Sequence, residues 1–256
     1  MKTYKHSGTL GDLIYSLPIV KKMGGGEFKI ALDNIEATIA KYSRNPAAIE
    51  QVDPAHRGRF TPADVNLLRP LLERQSYINT VSTWRQGDAD ADIDLDQFRG
   101  TLFRGFEGNY VQAYHMAFGL PFKMEDFDTP WLEADANPVA PIVVNRTPRY
   151  RCPSGDASWQ NIAGQADLEK NGIFVGGVTE HSDFVASTGI SIPYRPVRDF
   201  LELANIVAGA DLVMANQSFV YSIAVGLGKS TLLETIKIKP LENNECFFPR
   251  TNCEYF

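Results

Sequence analysis

From the PIVVN run ending at Asn145 onward, short apolar runs alternate with segments of helical period. This alternation constrains the fold more than any other feature of the chain. PIVVN reads as a buried strand, SWQNIAGQADLEK as a helix and GIFVGG as a strand. EHSDFVASTG is a short helix and RDFLELANIVAG a longer one. ADLVMAN is a strand, SFVYSIAVGLG a helix and STLLE a strand. Strands of four to six residues separated by helices predict a parallel sheet with helices on both faces.

The N-terminus has the same grammar. TYKH is β-prone, SGTLGD is a turn-rich loop, and LIYSLPIVKKM is apolar at helical spacing. Pro18 inside that pattern predicts a helix that starts late or kinks. Gly24 to Gly26 stop it, and FKIAL follows as a strand ending at Asp33. The middle is less regular. TPADVNLLRPLLERQ reads as a helix entered through Thr61 and Pro62 and disturbed at Pro70. YINTVSTW reads as a strand, and GNYVQAYHMAFGL as a helix ending at Gly119. PFKMEDFDTPWLEADANPVAP, rich in proline and acid, reads as a connector with one short strand. The expected architecture is α/β with two Rossmann-like parallel-sheet domains, residues 1–137 and 138–256, facing a central cleft.

Composition limits the function classes. Hydrophobic residues make up 44% of 256, enough for one large core or two small ones, and a charged fraction of 22% is that of a globular chain. No apolar run approaches the roughly 20 residues that span a bilayer, and the first residues lack the apolar stretch of a secretory signal. Cys152, Cys246 and Cys253 are odd in number and without metal-type spacing, which points to a reduced, cytoplasmic setting. Net charge is −6, and neither half carries the basic excess of a dedicated nucleic-acid binder.

In open α/β sheets ligands bind beyond the carboxyl ends of the strands, so the residues just after strands are the candidates. The first loop is Ser7-Gly8-Thr9-Leu10-Gly11-Asp12. Gly8 and Gly11 would let backbone approach a ligand, although the loop is neither a Walker A nor a GxGxxG motif. Asp12 has two readings, a cap or first-turn acid of the helix and a general base. After the buried strand come Asn145, Arg146, Thr147, Pro148, Arg149 and Tyr150, where two arginines suit a diphosphate or simply face solvent. Glu180, four residues after Gly176, either complements the helix dipole or accepts hydrogen bonds from a ribose. Asn216, Gln217 and Ser218 precede an apolar helix whose N-terminus offers free N–H groups to phosphate, with an N-cap role for Ser218 as the plain alternative. Lys229 reads as a partner of a helix C-terminus. Asp88, Asp90, Asp92, Asp94 and Asp96 alternate, but match no EF-hand and read as a solvated edge or turn. His6, His56, His115 and His181 show no ligand pairing, and Cys152 has no evident partner that would activate it.

Taken together, these loops resemble glycosyltransferase family 9, the ADP-heptose:lipopolysaccharide heptosyltransferase-like proteins. SGTLGDLIYSLP resembles the family's opening strand, Gly-Asp loop and Leu-Pro helix. ADIDLDQFR resembles a later N-terminal strand. RDFLELANIVAGADLVMANQSFVYSIAVGLGKSTLLE resembles the family's most recognisable block. The resemblance implies a GT-B fold, with acceptor on the N-terminal domain and nucleotide-sugar on the C-terminal one, and no metal or other cofactor. It places Asp12 on the catalytic base, Arg146 and Arg149 at the donor diphosphate, Glu180 near the nucleoside, and Asn216, Gln217 and Ser218 on the phosphate-facing turn. The chain departs from the family at that turn. Gln217 replaces an Asp, Phe219 a Gly and Ser222 a His, and a Phe forbids the easiest positive-φ backbone.

The leading expectation is therefore an inverting glycosyltransferase that moves a sugar from a nucleotide-sugar to an acceptor hydroxyl on a glycan or other molecule. The departures support the alternative of a non-catalytic binding or scaffold protein. A phage-type transferase acting on a DNA base is the third reading, disfavoured by the acidic charge.

Overall fold

The computed structural model describes residues 1–32, 41–42, 60–102, 106–152, 155–235 and 246–256. The expected strand end at Asp33, and His56, lie outside these residues. The chain divides into two compact units, Met1–Asp126 and Phe127–Phe256. The division precedes the expected one at 137/138 because the connector is tied to the second unit. Trp131 N–H and Leu132 N–H both donate to the Gly226 carbonyl, at 2.9 and 3.0 Å, and Asn137 N–H donates to that of Asn205 at 2.9 Å.

The first unit runs β1 (Lys2–His6), α1 (Leu10–Lys22), β2 (Gly26–Ala31), α2 (Pro62–Glu73), β3 (Ile78–Trp84) and β4 (Ile93–Asp94). A 3₁₀ turn (Leu95–Phe98), α3 (Arg99–Leu102), α4 (Tyr110–Ala117) and α5 (Glu125–Asp128) follow, α5 lying at the division. The four strands pair in parallel in the order β3-β2-β1-β4. Gly25 ends α1 at φ +70°, and a Cβ there would collide with the Tyr77 carbonyl, so only glycine fits between helix and strand.

α1 begins at Leu10, so it does not start late, and it continues through Pro18; α2 likewise runs through Pro70. A proline in a helix interior costs about 3 kcal/mol. Every residue of α1 from Leu13 to Val20 is buried, and each large apolar side chain so placed returns about 1.5–3 kcal/mol. Burial wins.

The aspartate row is a solvated edge or turn only in part. Of its five aspartates Asp94 alone lies in a strand, β4 at the edge of the sheet. Asp88, Asp90 and Asp92 are exposed, and the carboxylates of Asp92, Asp94 and Asp96 bond to β1 and the loop after it. Register pairs Lys5 with Asp94, so alternate residues of β1 and its loop meet alternate aspartates. Thr3 N–H and Oγ1–H donate to Asp92 at 2.8 and 2.9 Å, Lys5 pairs with Asp94 at 3.0 Å, and Ser7 N–H donates to Asp96 at 3.1 Å. The period of two follows from the pleat of the strand it faces.

The second unit holds β5 (Ile142–Asn145), β6 (Gly172–Phe174), β7 (Leu212–Ala215), β8 (Ser230–Leu233) and β9 (Cys253–Tyr255), in the order β6-β5-β7-β8-β9 and all parallel. Its helices are α6 (Gly155–Ala166), α7 (Leu168–Asn171), α8 (Val178–Thr188), α9 (Phe200–Gly209) and α10 (Phe219–Gly226), with a 3₁₀ turn at Pro148–Tyr150. The helix expected over SWQNIAGQADLEK is split into α6 and α7 by Asp167, whose φ of +48° is left-handed. No strand forms in the connector among the described residues, whereas β9, three residues long with Glu254 and Tyr255 both exposed, was not evident in the sequence. The core packs Trp159, Phe174 and Phe184 with aliphatic residues of β5 and β7. Among the described residues no helix is long and apolar enough to cross a membrane.

Phe184 is 1% exposed and packs on both Trp159 and Phe174. Phe184→Ala is expected to destabilise the second unit by about 3–5 kcal/mol, read as a lower urea midpoint with an unchanged slope. An unmoved midpoint contradicts this core assignment.

Candidate functional site

In the first unit the candidate residues gather where β1 leaves the sheet. Gly8, buried and at φ +103°, turns the chain from β1 into α1. Gly11 is an ordinary helical residue. Thr9 is the N-cap of α1, its hydroxyl accepting from Asp12 N–H at 3.4 Å. Asp12 is therefore a first-turn acid and not the cap.

The α2 helix provides an internal comparison. Thr61 caps it at the same spacing, and Asp64 folds back to take Thr61 N–H at 2.7 Å, completing a capping box. Asp12 makes no such return. Its Oδ2 accepts from Arg99 Nη2 at 3.0 Å, and its Oδ1 takes no hydrogen bond among the described residues. The Asp12 side chain keeps 12% of its surface and that of Arg99 10%.

Arg99 is held from several sides. Its Nη2 also reaches the Ser7 carbonyl at 3.5 Å, its Nε lies 3.7 Å from Asp96 Oδ1, and its guanidinium sits 4.7 Å from the Phe98 ring centre. Burial works against the charge on Arg99, but Asp12 and Asp96 overcome it and hold its pKa above the ordinary value. Burial pushes the Asp96 carboxyl up, against the pull of Arg99. Below this pair, Tyr114 Oη donates to the Asp12 carbonyl at 3.0 Å. His6 Nε2 lies 2.7 Å from that same hydroxyl, so the Nε2–H tautomer of His6 donates to it.

In the second unit the sequence candidates separate into three groups. Arg146 is committed inward. Its Nε and Nη2 donate to the two oxygens of Glu234 at 2.7 and 2.5 Å, and Nη1 donates to Asp156 at 2.6 Å. Glu234, 1% exposed at the end of β8, also accepts from Trp159 Nε1–H and Cys152 N–H, both at 3.1 Å. Desolvation works against Arg146's charge, but the bonds to Glu234 and Asp156 outweigh it and raise its pKa. Arg149, by contrast, is exposed, with its guanidinium 4.5 Å from the Tyr150 ring centre. Arg151 lies between these extremes, 36% exposed and tied to Asp156 at 2.5 Å. A small cavity of about 30 Å³ opens beside Arg151, Thr147, Asp183 and Ser187.

The second group is a clamp. Asn216, fully buried, accepts from Thr147 N–H at 2.9 Å and donates to the Thr147 carbonyl at 2.7 Å, fixing the loop after β5 to the turn after β7. Ser218 is the N-cap of α10, accepting from Tyr221 N–H at 3.3 Å. Gln217 keeps a buried Oε1 without a partner among the described residues. Phe219 opens α10 in helical conformation and meets Phe200 edge-on at 4.7 Å, so no positive φ is required there. Ser222 is buried and donates to the Phe219 carbonyl at 2.7 Å.

The third group surrounds Gly176, at φ +128°, where a Cβ would strike Asn145 Nδ2 and Glu180 Oε2. Glu180 accepts from Gly177 N–H at 2.8 Å, as a first-turn acid does. Its burial raises its pKa against those bonds. Lys229 donates to the Ala208 carbonyl at 3.0 Å, near the end of α9, in keeping with its expected role at a helix C-terminus. Among the described residues no group of three or more His, Cys, Asp or Glu is placed to hold a metal ion.

Sequence reasoning missed Arg99, Glu234, Tyr114 and His6 as parts of these clusters. Each pairs with a residue more than 80 positions away, and no local pattern encodes such a pair. The one available signal was a charged residue at the end of an apolar strand, which Glu234 after STLL carries.

The two-unit parallel α/β fold is shared with glycosyltransferases. The chain matches the glycosyltransferase family 9 structure from Veillonella parvula DSM 2008 with a TM-score of 0.59 at 10% identity, over 99% of this chain and 84% of that one. Escherichia coli ADP-heptose lipopolysaccharide heptosyltransferase II matches with a TM-score of 0.52 at 13% identity, over 100% and 90%. The dodecameric, iron-containing heptosyltransferase TibC of enterotoxigenic E. coli, in complex with ADP-D-β-D-heptose, matches with 0.51 at 14%, over 96% and 60%. At these identities the likeness is one of fold. No protein-family model matches the chain, and no curated protein matches it by sequence.

Two expectations follow from the buried charges. Removing one member of a buried ion pair typically costs about 3–5 kcal/mol, because the other is left uncompensated. Glu234→Gln should therefore strongly lower the melting point of the second unit, as followed by calorimetry, and a near-parental melt contradicts the account. His6 is wholly buried and its pKa is lowered from 6.5 to about 3, by burial first and then by Arg99. The unfolded chain thus binds a proton that the native state refuses between these values, and stability falls as pH drops below 6.5 towards about 3. His115, also lowered by burial, contributes with the same sign. Melting curves from pH 7 to 4 should slope less for His6→Gln than for the parent. Equal slopes contradict a neutral buried His6.

Proposed function

We propose that this protein is an inverting glycosyltransferase that moves a sugar from a nucleotide-activated donor to an acceptor hydroxyl. The observation that carries the reading is Asp12. It stands at the carboxyl end of β1, where α/β sheets bind ligands. It has left the capping position that α2 shows to be its default, and it keeps one carboxylate oxygen unengaged. The shared fold with family 9 glycosyltransferases supports the same assignment.

In this reading Asp12 Oδ1 accepts the proton of the acceptor hydroxyl as its oxygen attacks the anomeric carbon. The bond between that carbon and the diphosphate oxygen breaks, and the nucleoside diphosphate leaves with the electron pair. Charge on the leaving group is met by Arg149 and by the N–H groups at the start of α10, after Asn216, Gln217 and Ser218. Arg146 acts at one remove, because Glu234 and Asp156 hold it. It anchors the loop that carries Arg149, and Asn216 clamps that loop from the other side. The partnerless Gln217 Oε1 would take a donor hydroxyl, and Glu180 beside Gly176 a ribose hydroxyl. A nucleotide-sugar and a hydroxylated acceptor are then the partners, with no metal in the assigned roles.

The inward commitment of Arg146 favours one second reading, a binding protein that keeps the fold without the chemistry. Release of nucleoside diphosphate from ADP-, UDP- and GDP-activated sugars, with water or mixed glycans as acceptor, separates the two. The transferase reading expects turnover with at least one donor, lowered at least about a hundredfold by Asp12→Asn with folding kept by circular dichroism. Turnover by no donor overturns it in favour of the binding protein. Parental turnover by Asp12→Asn moves the base elsewhere.

A further inference from the structure

We infer that Arg99 is the positioning residue for Asp12, turning its carboxylate away from the helix backbone and leaving one oxygen directed for proton transfer. The inference rests on the transferase reading above. It begins from a competition visible within the chain. An aspartate at the third position of a helix capped by threonine has a strong local partner, the cap's own backbone N–H, and Asp64 takes it in α2. Asp12 occupies the same position in α1 and does not. The difference is the guanidinium of Arg99, 3.0 Å from Asp12 Oδ2. Both bonds engage the ionised carboxylate, but only the one to Arg99 brings an opposite full charge to it in a buried setting, so it wins over the capping bond.

Arg99 can impose this because it is itself fixed. The Ser7 carbonyl, Asp96 and the Phe98 ring bracket its guanidinium. Asp96 is fixed in turn by Ser7 N–H and by Lys5, 3.6 Å away. The Asp12 backbone is gripped separately, by Tyr114 Oη on its carbonyl and by His6 behind Tyr114. Side chain and main chain of Asp12 are therefore held by different groups. Arg99 is engaged by the Ser7 carbonyl, Asp96 and Asp12, so it serves to orient the Asp12 carboxylate rather than to bind a ligand.

A purely structural role for Arg99 predicts the same loss whatever stands at position 12, and a positioning role does not. The test is a double-mutant cycle on nucleoside diphosphate release from the sugar nucleotide the parent uses, with water as acceptor. Arg99→Met should lower the rate constant at saturating donor by roughly 10–100-fold while leaving the donor KM within about twofold. Added to Asp12→Asn, the same substitution should lower the remaining rate by less than about twofold, since the group it acts through is already gone. Arg99→Lys keeps the charge without the fork, and should recover part of the rate and most of the melting temperature that Arg99→Met loses. Losses that multiply across the cycle overturn the inference and leave the transferase reading intact. So does a rate loss in Arg99→Lys that merely tracks its melting point. Absence of turnover in the parent overturns both.

Discussion

Each sheet ends at a buried carboxylate–guanidinium pair, and the loops that would meet a ligand are arranged around it. In the first unit the pair is Arg99 with Asp12 and Asp96, and in the second it is Arg146 with Glu234. Such pairs do not by themselves add stability over apolar residues of similar volume. Their consequence is geometric. A buried guanidinium needs acceptors and a buried carboxylate needs donors, so the Ser7 carbonyl is held by Arg99, Asp156 by Arg146, and Cys152 N–H and Trp159 Nε1–H by Glu234. The two pairs differ in what they leave over. Glu234 spends both oxygens on internal donors, whereas Asp12 keeps one. That asymmetry is why the chemistry is assigned to the first unit and the holding of a donor to the second.

The fold was largely legible because parallel strands buried on both faces write themselves as apolar runs. β5, β7 and β8 could be read directly for that reason, as could the amphipathic or apolar helices between them. What was not legible were effects decided by distant partners. Pro18 and Pro70 argue for helix breaks by local rules, and tertiary burial overrides both. The period-two aspartates look like a solvated edge until the register of β4 on β1 is known. Asp167 splits a helix in a conformation that propensity does not foresee for a residue other than glycine. The candidate site divides in the same way. Its candidate position after the strands could be inferred from topology, and Asp12, Glu180 and Asn216 do lie just beyond strand ends as the sequence placed them. That Asn216 is a clamp, that Arg146 faces inward, and that Arg99 governs Asp12 depend on pairings across 69 to 88 positions of sequence.

The departures at the turn after β7 take on a different meaning once placed. Phe219 occupies a helical position and packs against Phe200, so it removes no needed backbone freedom. Ser222 closes its hydrogen bond within α10. Gln217 is the departure that bears on a ligand, because its buried Oε1 is a neutral acceptor without a partner among the described residues. A neutral group there repels a diphosphate less than an acid would, and selects among sugars by hydrogen bonding rather than by charge.

If the proposed function holds, the second unit binds a nucleoside diphosphate at the ends of β5, β6 and β7. A crystal structure of the protein grown with ADP or UDP tests it most directly. The account predicts density for the diphosphate against the start of α10 and Arg149, with the ribose towards Glu180 and Arg146 still paired to Glu234. Density at another edge of the unit, or an Arg146 released from Glu234 to grip the phosphates, would contradict it.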